Sequence, residues 1–356
     1  MRVVCLPVSG GAFVSQLAAV SRLCEVGFTP DVCYSSSGGN VTAYIAATAD
    51  WKWAKTELLA SELNSSMLVQ PWSKMSLLSP IIGYFKGDLY SNGGGVLSLI
   101  KKYGQEDILR KYEIWTGTYD VQKRRARFFC NLSVEQAKFK METPLGTMDP
   151  YYMNGNIEMI SKACIASASI PAIVPGQIID NEEYADGGIC SASPLTFAVL
   201  TIRKKIASLP VEERKLHLWY INCDNLESSD RNGFRYNLID TLGQTVSDLT
   251  RMQAVTDRNL CHFLLETMSP TPLKTASGDF NSMSVKMLTG LLENIKYAMV
   301  EVYPESVVSI NMVKFDGSDV KNGISKSQGI LKYRLWYAPP SDRSVASLIE
   351  RELLSS

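Results

Sequence analysis

The sequence has 356 residues, of which 46% are hydrophobic, and its 36 basic residues balance 36 acidic ones, so the formal net charge is zero. A chain of this length and apolar content can bury a large core, as one large domain or two ordinary ones. The balanced charge gives no support to nucleic acid or an anionic membrane as partner, and the 20% of charged residues without long like-charge runs excludes wholesale disorder.

The eight cysteines form no C-x-x-C pair, and most of them lie in apolar runs. They are predicted to be small buried hydrophobes in a reducing compartment, not a disulfide framework or a zinc site. The first residues show no secretory pattern, and no apolar run reaches the roughly 18 residues that a membrane span needs. We therefore expect a cytoplasmic protein, peripheral to membranes at most, without a metal or other cofactor.

Two strand–turn–helix units open the chain. Val3–Val8 is an apolar run typical of a strand buried on both faces, and the turn Ser9–Ala12 leads to a helix with apolar residues at helical spacing over Phe13–Cys24. A second strand, Asp31–Tyr34, is followed by serines and glycines and then by a helix over Val41–Ala49. This order predicts an α/β protein, a three-layer α/β/α fold with a mostly parallel central sheet.

The middle of the chain predicts two hairpins with a helix of small residues between them. The first hairpin covers residues 113–133, the helix ends at Pro171, and the second hairpin turns at Asp180–Asn181. The apolar stretch Met67–Phe85 leaves two interpretations open, a lid that opens on lipid and a buried cover of the sheet.

A basic cluster lies near the bend of the first hairpin. Its members are Lys123, Arg124, Arg125 and Arg127. Two interpretations stay open here as well, a contact with phosphate head groups and a solvated hairpin tip.

The last part of the chain contains further strands and helices. They are predicted as a strand at 215–223, helices at about 236–267 and 282–301, strands at 307–315 and 330–338, and a helix from about Ser341. We therefore divide the chain into a core, residues 1–200, and a C-terminal part, residues 201–356, that completes the same sheet or packs on it.

The segment SSSGG, residues 35–39, places Ser37 between the second strand and the helix that follows it. Acyl transfer needs an exposed nucleophile on a sharp turn, a base for its proton and N–H donors for the oxyanion. Ser37 is the central residue of a frame similar to G-x-S-x-G, with Ser35 at the first glycine position. A serine-rich helix cap is the alternative interpretation, and the segment alone does not decide between the two.

Ser9-Gly10-Gly11-Ala12 forms a comparable turn after the first strand. If strands 1 and 2 are parallel neighbours, both turns lie at the carboxyl edge of the sheet, where open α/β sheets place their sites. A plain tight turn or a phosphate-binding turn is the alternative, although no G-x-G-x-x-G and no Walker lysine supports a nucleotide site.

The candidate base is a carboxylate. Asp186 ends a predicted strand and is followed by Gly187 and Gly188, which can aim its side chain into a cleft or form an ordinary D-G turn. The two histidines of the chain, His217 in a strand and His262 in a helix, have no placed partner, so a Ser-His-Asp triad is not favoured.

These three features together resemble the patatin-like phospholipases over roughly residues 1–200. The closest part of the resemblance is ASASIPAIVPGQIIDNEEYADGGICSASP, residues 166–194. The resemblance implies Ser37 as nucleophile, Asp186 as its partner in a Ser-Asp dyad, and the amides of Gly10, Gly11 and Gly38 as the oxyanion hole. It also implies an acyl-enzyme mechanism without a metal, acting on a phospholipid or other acyl ester, with transient contact to a membrane surface.

The chain departs from the family pattern in both turns. Ser9 replaces a glycine of the first turn, Phe13 and Val14 stand near the positions of its basic residue and last glycine, and Ser35 replaces the first glycine of the elbow. These departures favour a rival hypothesis, a catalytically inactive patatin-fold protein that serves binding or assembly.

The intact nucleophile and D-G-G segment favour a lipid acyl hydrolase over that rival. An α/β-hydrolase esterase with His217 or His262 as base is a further alternative. The position of the elbow at residue 37 argues against it, since that fold normally has its elbow deeper in the chain. The sequence does not indicate head-group preference or oligomeric state.

Overall fold

The structure is a computed structural model that describes residues 1–25, 27–71, 90–92, 106–138, 148–171, 174–223, 238–268, 296–304, 307–310, 315–328 and 331–337. Most of the predicted lid, Met67–Phe85, and the whole predicted terminal helix from Ser341 lie outside these residues.

The described strands are β1 (Arg2–Leu6), β2 (Val32–Ser36), β3 (Val69–Pro71), β4 (Tyr90–Asn92), β5 (Glu113–Asp120), β6 (Arg125–Cys130), β7 (Met148–Tyr152), β8 (Gln177–Ile179), β9 (Glu182–Asp186), β10 (Lys215–Ile221), β11 (Lys296–Pro304) and β12 (Leu331–Tyr337). Ten of them form one sheet in the order β12-β11-β10-β1-β2-β5-β6-β7, with β9 paired to β5 and β8 to β9. The neighbours from β11 to β5 are all parallel.

The described α-helices are α1 (Phe13–Glu25), α2 (Gly38–Thr48), α3 (Trp53–Ala60), α4 (Ser65–Leu68), α5 (Glu106–Lys111), α6 (Ile157–Ser167), α7 (Leu195–Ala207), α8 (Leu238–Met268) and α9 (Gly317–Gln328). Short 3-10 turns at Gly10–Ala12 and Gly187–Ile189 follow β1 and β9.

Alternate residues of the central strands face two different helical layers. Val4 and Leu6 pack in one core with residues of α1, α2 and α6. Val3 and Cys5 pack in a second core with residues of α7 and α8. Because β1 is buried on both faces, its residues Val3 to Leu6 form a continuous apolar run in the sequence. The predicted three-layer α/β/α fold is confirmed.

The register of the sheet brings the two predicted turns to one edge. Leu6 at the end of β1 lies opposite Ser35 near the end of β2, so the glycine turn and the serine elbow leave the sheet side by side. The strands β10, β11 and β12 belong to the same sheet. The domain boundary near residue 200 stays a prediction.

Both predicted hairpins form, β5 with β6 and β8 with β9. Asp180 and Asn181 make the second turn with positive φ angles of 50° and 64°. Most of the basic cluster is paired within the fold, because Lys123 contacts Asp120 and Glu182, and Arg125 and Arg127 both contact Asp149.

Two predictions for the C-terminal part are wrong. Residues 296–301, placed in a helix, belong to strand β11, and residues 307–310, placed in a strand, belong to neither a helix nor a strand. The four residues from Met299 to Val302 are all nearly fully buried between β10 and β12. A strand buried on both faces has no alternating pattern, so its apolar run cannot be distinguished from a helix by periodicity.

The sequence analysis also missed helix α9. Its residues GSDVKNGISKSQ suggest a turn because glycine, serine and asparagine punctuate them. In the structure, Asp316 caps the helix, accepting hydrogen bonds from the backbone N–H groups of Ser318 and Asp319 at 2.8 and 3.1 Å. Val320 and Ile324 then bury one face of α9 in a third apolar cluster with α1.

Candidate active site

The serine elbow joins β2 to α2 through one strained residue. Ser37 has φ 51° and ψ −126°, a conformation that side-chain-bearing residues rarely adopt and that concentrates at functional sites. A Cβ atom on Gly39 would lie 2.4 Å from the carbonyl oxygen of Leu6 and 2.6 Å from that of Pro7. Glycine at residue 39 therefore lets α2 start directly against the end of β1, which makes the turn sharp.

Ser37 and Asp186 meet at this edge of the sheet. The Ser37 hydroxyl donates to Oδ2 of Asp186 at 2.9 Å, and the backbone N–H of Gly188 donates to Oδ1 at 2.7 Å. Both side chains are almost entirely buried. The D-G-G segment thus directs one carboxylate oxygen to Ser37 and holds the other with a backbone amide.

Burial raises the pKa of Asp186 from 3.8 to about 7, against the smaller opposing effects of the Gly188 amide and the Ser37 hydroxyl. A carboxylate in an apolar site loses hydration in its charged form, which is the cause of the rise. With a pKa near 7, Asp186 can exchange a proton at neutral pH, as a general base must.

Ser35 is accommodated without strain. It lies in strand β2 and is not among the residues with positive φ. Its hydroxyl lies 3.0 Å from Oδ1 of Asn40 and 3.2 Å from the carbonyl oxygen of Trp115, and the Thr116 hydroxyl donates to the same Asn40 oxygen at 3.0 Å. The serine that replaces the elbow's first glycine is therefore part of a buried polar network.

The glycine turn contacts the elbow at Gly38 through the Ser9 hydroxyl and the backbone of Gly10. Gly10 has φ 49°, and a Cβ atom on Gly38 would lie 3.1 Å from the nitrogen of Gly10. The Ser9 hydroxyl donates to Oε1 of Gln16 at 3.1 Å, and the Gln16 amide donates to the carbonyl of Pro7 at 2.8 Å. A buried glutamine of α1 therefore braces this turn.

Phe13 and Val14 do not belong to the turn. Both are fully buried in α1 and belong to the third apolar cluster, in which the centre of the Phe13 ring lies 6.0 Å from that of the Phe315 ring. These two departures from the family pattern therefore serve core packing.

Gly11 lies against the segment 307–310. The N–H of Ile310 donates to the carbonyl of Gly11 at 3.1 Å, and a Cβ atom on Gly11 would lie 2.1 Å from the Ile310 carbonyl oxygen. Gly10 and Gly38 thus lie together next to Ser37, whereas Gly11 is covered by a distant part of the chain. The oxyanion-hole role of all three stays a prediction.

A cavity of about 1060 Å³ opens at Ser37 and Asp186. This volume is typical of the larger small-molecule sites. Its lining is mostly apolar and comes from the glycine turn, the D-G-G turn, α8, the segment 307–310 and the residues that follow α6 and β10. Besides Ser37 and Asp186, the lining residues are Val8, Ser9, Gly10, Ala12, Ile170, Pro171, Gly188, Ile189, Cys190, Cys223, Leu249, Thr250, Met252, Gln253, Thr256, Asp257, Leu260, Val307 and Ser309. None of the described lining residues is a histidine.

Sequence reasoning missed three residues that shape the site. Ser167 accepts a hydrogen bond from the N–H of Ser37, Gln16 braces the glycine turn, and Asp257 of α8 lines the cavity. Burial raises the pKa of Asp257 to about 6, and the N–H of Thr196 donates to its carboxylate at 3.3 Å. Only Ser167 had a signal in the sequence, since it lies in the ASASIP segment.

The described residues contain no cluster of three or more histidine, cysteine or acidic side chains that could hold a metal ion. No helix among them has the length and apolar character needed to cross a membrane.

Comparison with known proteins shows similarity to a protein family and to solved structures. A family model described as patatin-like phospholipase matches residues 8–199. A solved structure described as "Crystal structure of VipD from Legionella pneumophila" shares 14% sequence identity, with a match that covers 94% of this chain and 68% of that one at a TM-score of 0.31. No curated protein matches the chain.

Proposed function

The chain belongs to the patatin-like phospholipase family, and on this premise we propose that it is a lipid acyl hydrolase with Ser37 as nucleophile and Asp186 as base. The observation that carries the proposal is the 2.9 Å hydrogen bond between the Ser37 hydroxyl and the Asp186 carboxylate, which both line a largely apolar cavity. The substrates are fatty-acyl esters of phospholipids or related lipids.

The proposed reaction has two halves. Asp186 accepts the Ser37 proton while the Ser37 oxygen attacks the acyl carbon, and the departing alcohol then takes that proton from Asp186. This leaves an acyl group on Ser37. Water next gives a proton to Asp186 and attacks the acyl carbon, and the fatty acid leaves as Ser37 regains its proton.

The tetrahedral intermediates of both halves carry an oxyanion. The backbone amides of Gly10, Gly11 and Gly38 are the proposed donors, and Gly10 and Gly38 already lie together beside Ser37. One such donor typically lowers the barrier by about 2.7–4 kcal/mol. The family pattern is altered in this turn, which is the observation that favours the rival hypothesis of an inactive binding protein.

A fluorophosphonate probe tests the proposal directly. We expect rapid labelling of the wild-type protein, no labelling of Ser37→Ala, and a loss of at least about 10³-fold in rate for Asp186→Asn. A control variant with His217→Gln and His262→Gln should label like the wild type. If the wild-type protein stays unlabelled under conditions in which a known serine hydrolase is labelled, the result supports the rival hypothesis of an inactive protein. If only the histidine variant loses labelling, the result contradicts the Ser-Asp dyad.

Exposed apolar side chains at the rim of the cavity support the hypothesis that the protein takes its substrate from a lipid surface. Four apolar side chains on it are substantially exposed: Leu249 at 57%, Met252 at 67%, Leu260 at 44% and Val307 at 43%. Exposed apolar groups clustered at the mouth of a site often mark an interaction surface. We therefore propose that this rim contacts lipid during catalysis.

Vesicle assays test this contact. Leu249→Ser with Met252→Ser should lower hydrolysis of phosphatidylcholine vesicles by about tenfold or more, because each buried apolar side chain contributes about 1.5 kcal/mol or more to binding. Hydrolysis of a soluble short-chain ester should fall much less. Ile178→Ser, at an exposed apolar residue on β8, is the matched control and should change neither rate. Equal losses on both substrates contradict a lipid-contact role.

A further inference from the structure

Ser167, the last residue of α6, lies directly beneath the serine elbow. Its side-chain oxygen accepts the backbone N–H of Ser37 at 2.9 Å and donates to the carbonyl of Gly117 in β5 at 2.6 Å. The residue is fully buried. One hydroxyl therefore joins the elbow to the neighbouring strand through two hydrogen bonds.

The N–H of Ser37 needs such a partner. Ser37 lies between β2 and α2 with φ 51°, is almost entirely buried, and donates its N–H to the Ser167 hydroxyl. A buried amide without an acceptor is unfavourable, and a strained backbone persists only where its surroundings hold it. Ser167 supplies both the acceptor and the restraint.

The same end of α6 is also tied to Asp186. The carbonyl of Ser169 accepts the backbone N–H of Asp186 at 2.9 Å, and Thr118, next to Gly117, pairs with Asp186 between β5 and β9. A Cβ atom on Gly187 would lie 2.2 Å from the Gly117 carbonyl oxygen, so the D-G-G turn packs on the atom that Ser167 binds. The end of α6 and Gly117 of β5 therefore position both Ser37 and Asp186.

We propose that Ser167 is a positioning residue, whose hydroxyl fixes the elbow so that the Ser37 oxygen stays within hydrogen-bond distance of Asp186. Its kinetic consequence rests on the proposed function, but its structural consequence does not. Without the Ser167 hydroxyl, the Ser37 amide loses its acceptor, the elbow relaxes, and the Ser37 hydroxyl spends less time on the Asp186 carboxylate. Asp186 then loses a donor that stabilises its charged form, so it should bind its proton more tightly.

The kinetic test compares Ser167→Ala with Ser161→Ala, which makes the same change at a buried serine six residues earlier in α6. We expect Ser167→Ala to lower kcat for a short-chain ester and the probe-labelling rate by about ten- to a hundredfold, with KM within about twofold of wild type. The acid limb of its pH–rate profile should move to higher pH. Ser161→Ala should match the wild type in all three respects. Ser167→Cys keeps the shape of the side chain but accepts hydrogen bonds weakly, so its kcat and labelling rate should lie between those of Ser167→Ala and wild type. It replaces the alanine variant in this test if that variant does not fold.

A second measurement does not need activity. The γ-carboxyl ¹³C resonance that disappears in Asp186→Asn should titrate about 1 pH unit higher in Ser167→Ala than in wild type, and unchanged in Ser161→Ala. If wild type neither labels nor hydrolyses esters but this shift is seen, the proposed function fails and the positioning role stands. If wild type is active but Ser167→Ala matches Ser161→Ala in rate and titration, the positioning role is overturned.

Discussion

The serine elbow and the glycine turn follow adjacent parallel strands and reach the same cavity, but they are built differently. At the elbow, Ser37 uses both its hydroxyl and its backbone N–H in hydrogen bonds to buried side chains. A Cβ atom on Gly39 would collide with the backbone of β1. At the glycine turn, a Cβ atom on Gly10 would meet nothing within 4 Å, and the bracing by Gln16 acts through Ser9 and Pro7.

This difference agrees with the different catalytic roles proposed for the elbow and the glycine turn. The elbow has to hold a reacting atom against its base, so it is close-packed and fixed by buried hydrogen bonds. The glycine turn has to present free N–H groups to a substrate, so part of it must stay open. The same type of substitution should therefore have a larger effect on stability at Gly39 of the elbow than at Gly10, the open residue of the glycine turn.

The strongest test of this comparison is a pair of glycine-to-alanine variants. Gly39→Ala should lower the free energy of unfolding by about 3 kcal/mol or more, because the new methyl group meets backbone atoms that cannot move aside. Gly10→Ala should lower it by about 1–2 kcal/mol, since only the left-handed backbone conformation opposes the side chain. Urea denaturation measures both, and equal losses would contradict the proposed difference in packing.

A pair of serine-to-glycine variants gives a smaller effect in the same direction. Ser35→Gly should lower the free energy of unfolding by about 2 kcal/mol, from one buried hydrogen bond and the added chain entropy of glycine. Ser9→Gly, at a half-buried residue, should lower it by less than about 1 kcal/mol. Both changes introduce the glycine of the family pattern. An increase in stability for Ser35→Gly would show that the polar network around Asn40 is dispensable.

The last prediction concerns pH and compares Asp186, the ionisable partner of the elbow, with the glycine turn, whose residues do not ionise. The folded-state pKa of Asp186 is raised from 3.8 to about 7, so the ionised carboxylate is disfavoured in the folded protein. Its contribution to stability is complete below pH 3.8 and is lost as the pH rises to about 7. Asp186→Asn should therefore be more stable than wild type by a few kcal/mol at pH 8, since each pKa unit corresponds to about 1.4 kcal/mol.

That gain should vanish near pH 4, where the wild-type carboxyl is protonated in the folded state. Thermal unfolding at both pH values measures it. Gly10→Ala, which changes no ionisable group, is the control and should show the same difference from wild type at either pH. A gain for Asp186→Asn that does not depend on pH would contradict the raised pKa.

Most of the central fold could be predicted from local patterns. The apolar runs of β1 and β2, the glycine turn and the helical spacing of α1 each depend on residues close in sequence, and they indicated the parallel sheet correctly. After residue 280, the predicted strand at 330–338 agrees with β12, but β11 and α9 could not be predicted in this way. Strand β11 lies between β10 and β12 in the sheet and is buried on both faces, and α9 depends on the Asp316 cap and on its contact with α1, so tertiary neighbours override a weak local pattern there.

The sequence by itself determined the family, the three-layer fold and the identity of Ser37 and Asp186 as candidate residues, because these follow from short motifs at the ends of strands. Only the tertiary structure decided how the site is held together. The Ser167 hydroxyl under the elbow, the network around Ser35, the segment 307–310 on Gly11 and the α8 face of the cavity all join residues far apart in the chain. Such contacts arise from packing and burial, which no local pattern specifies.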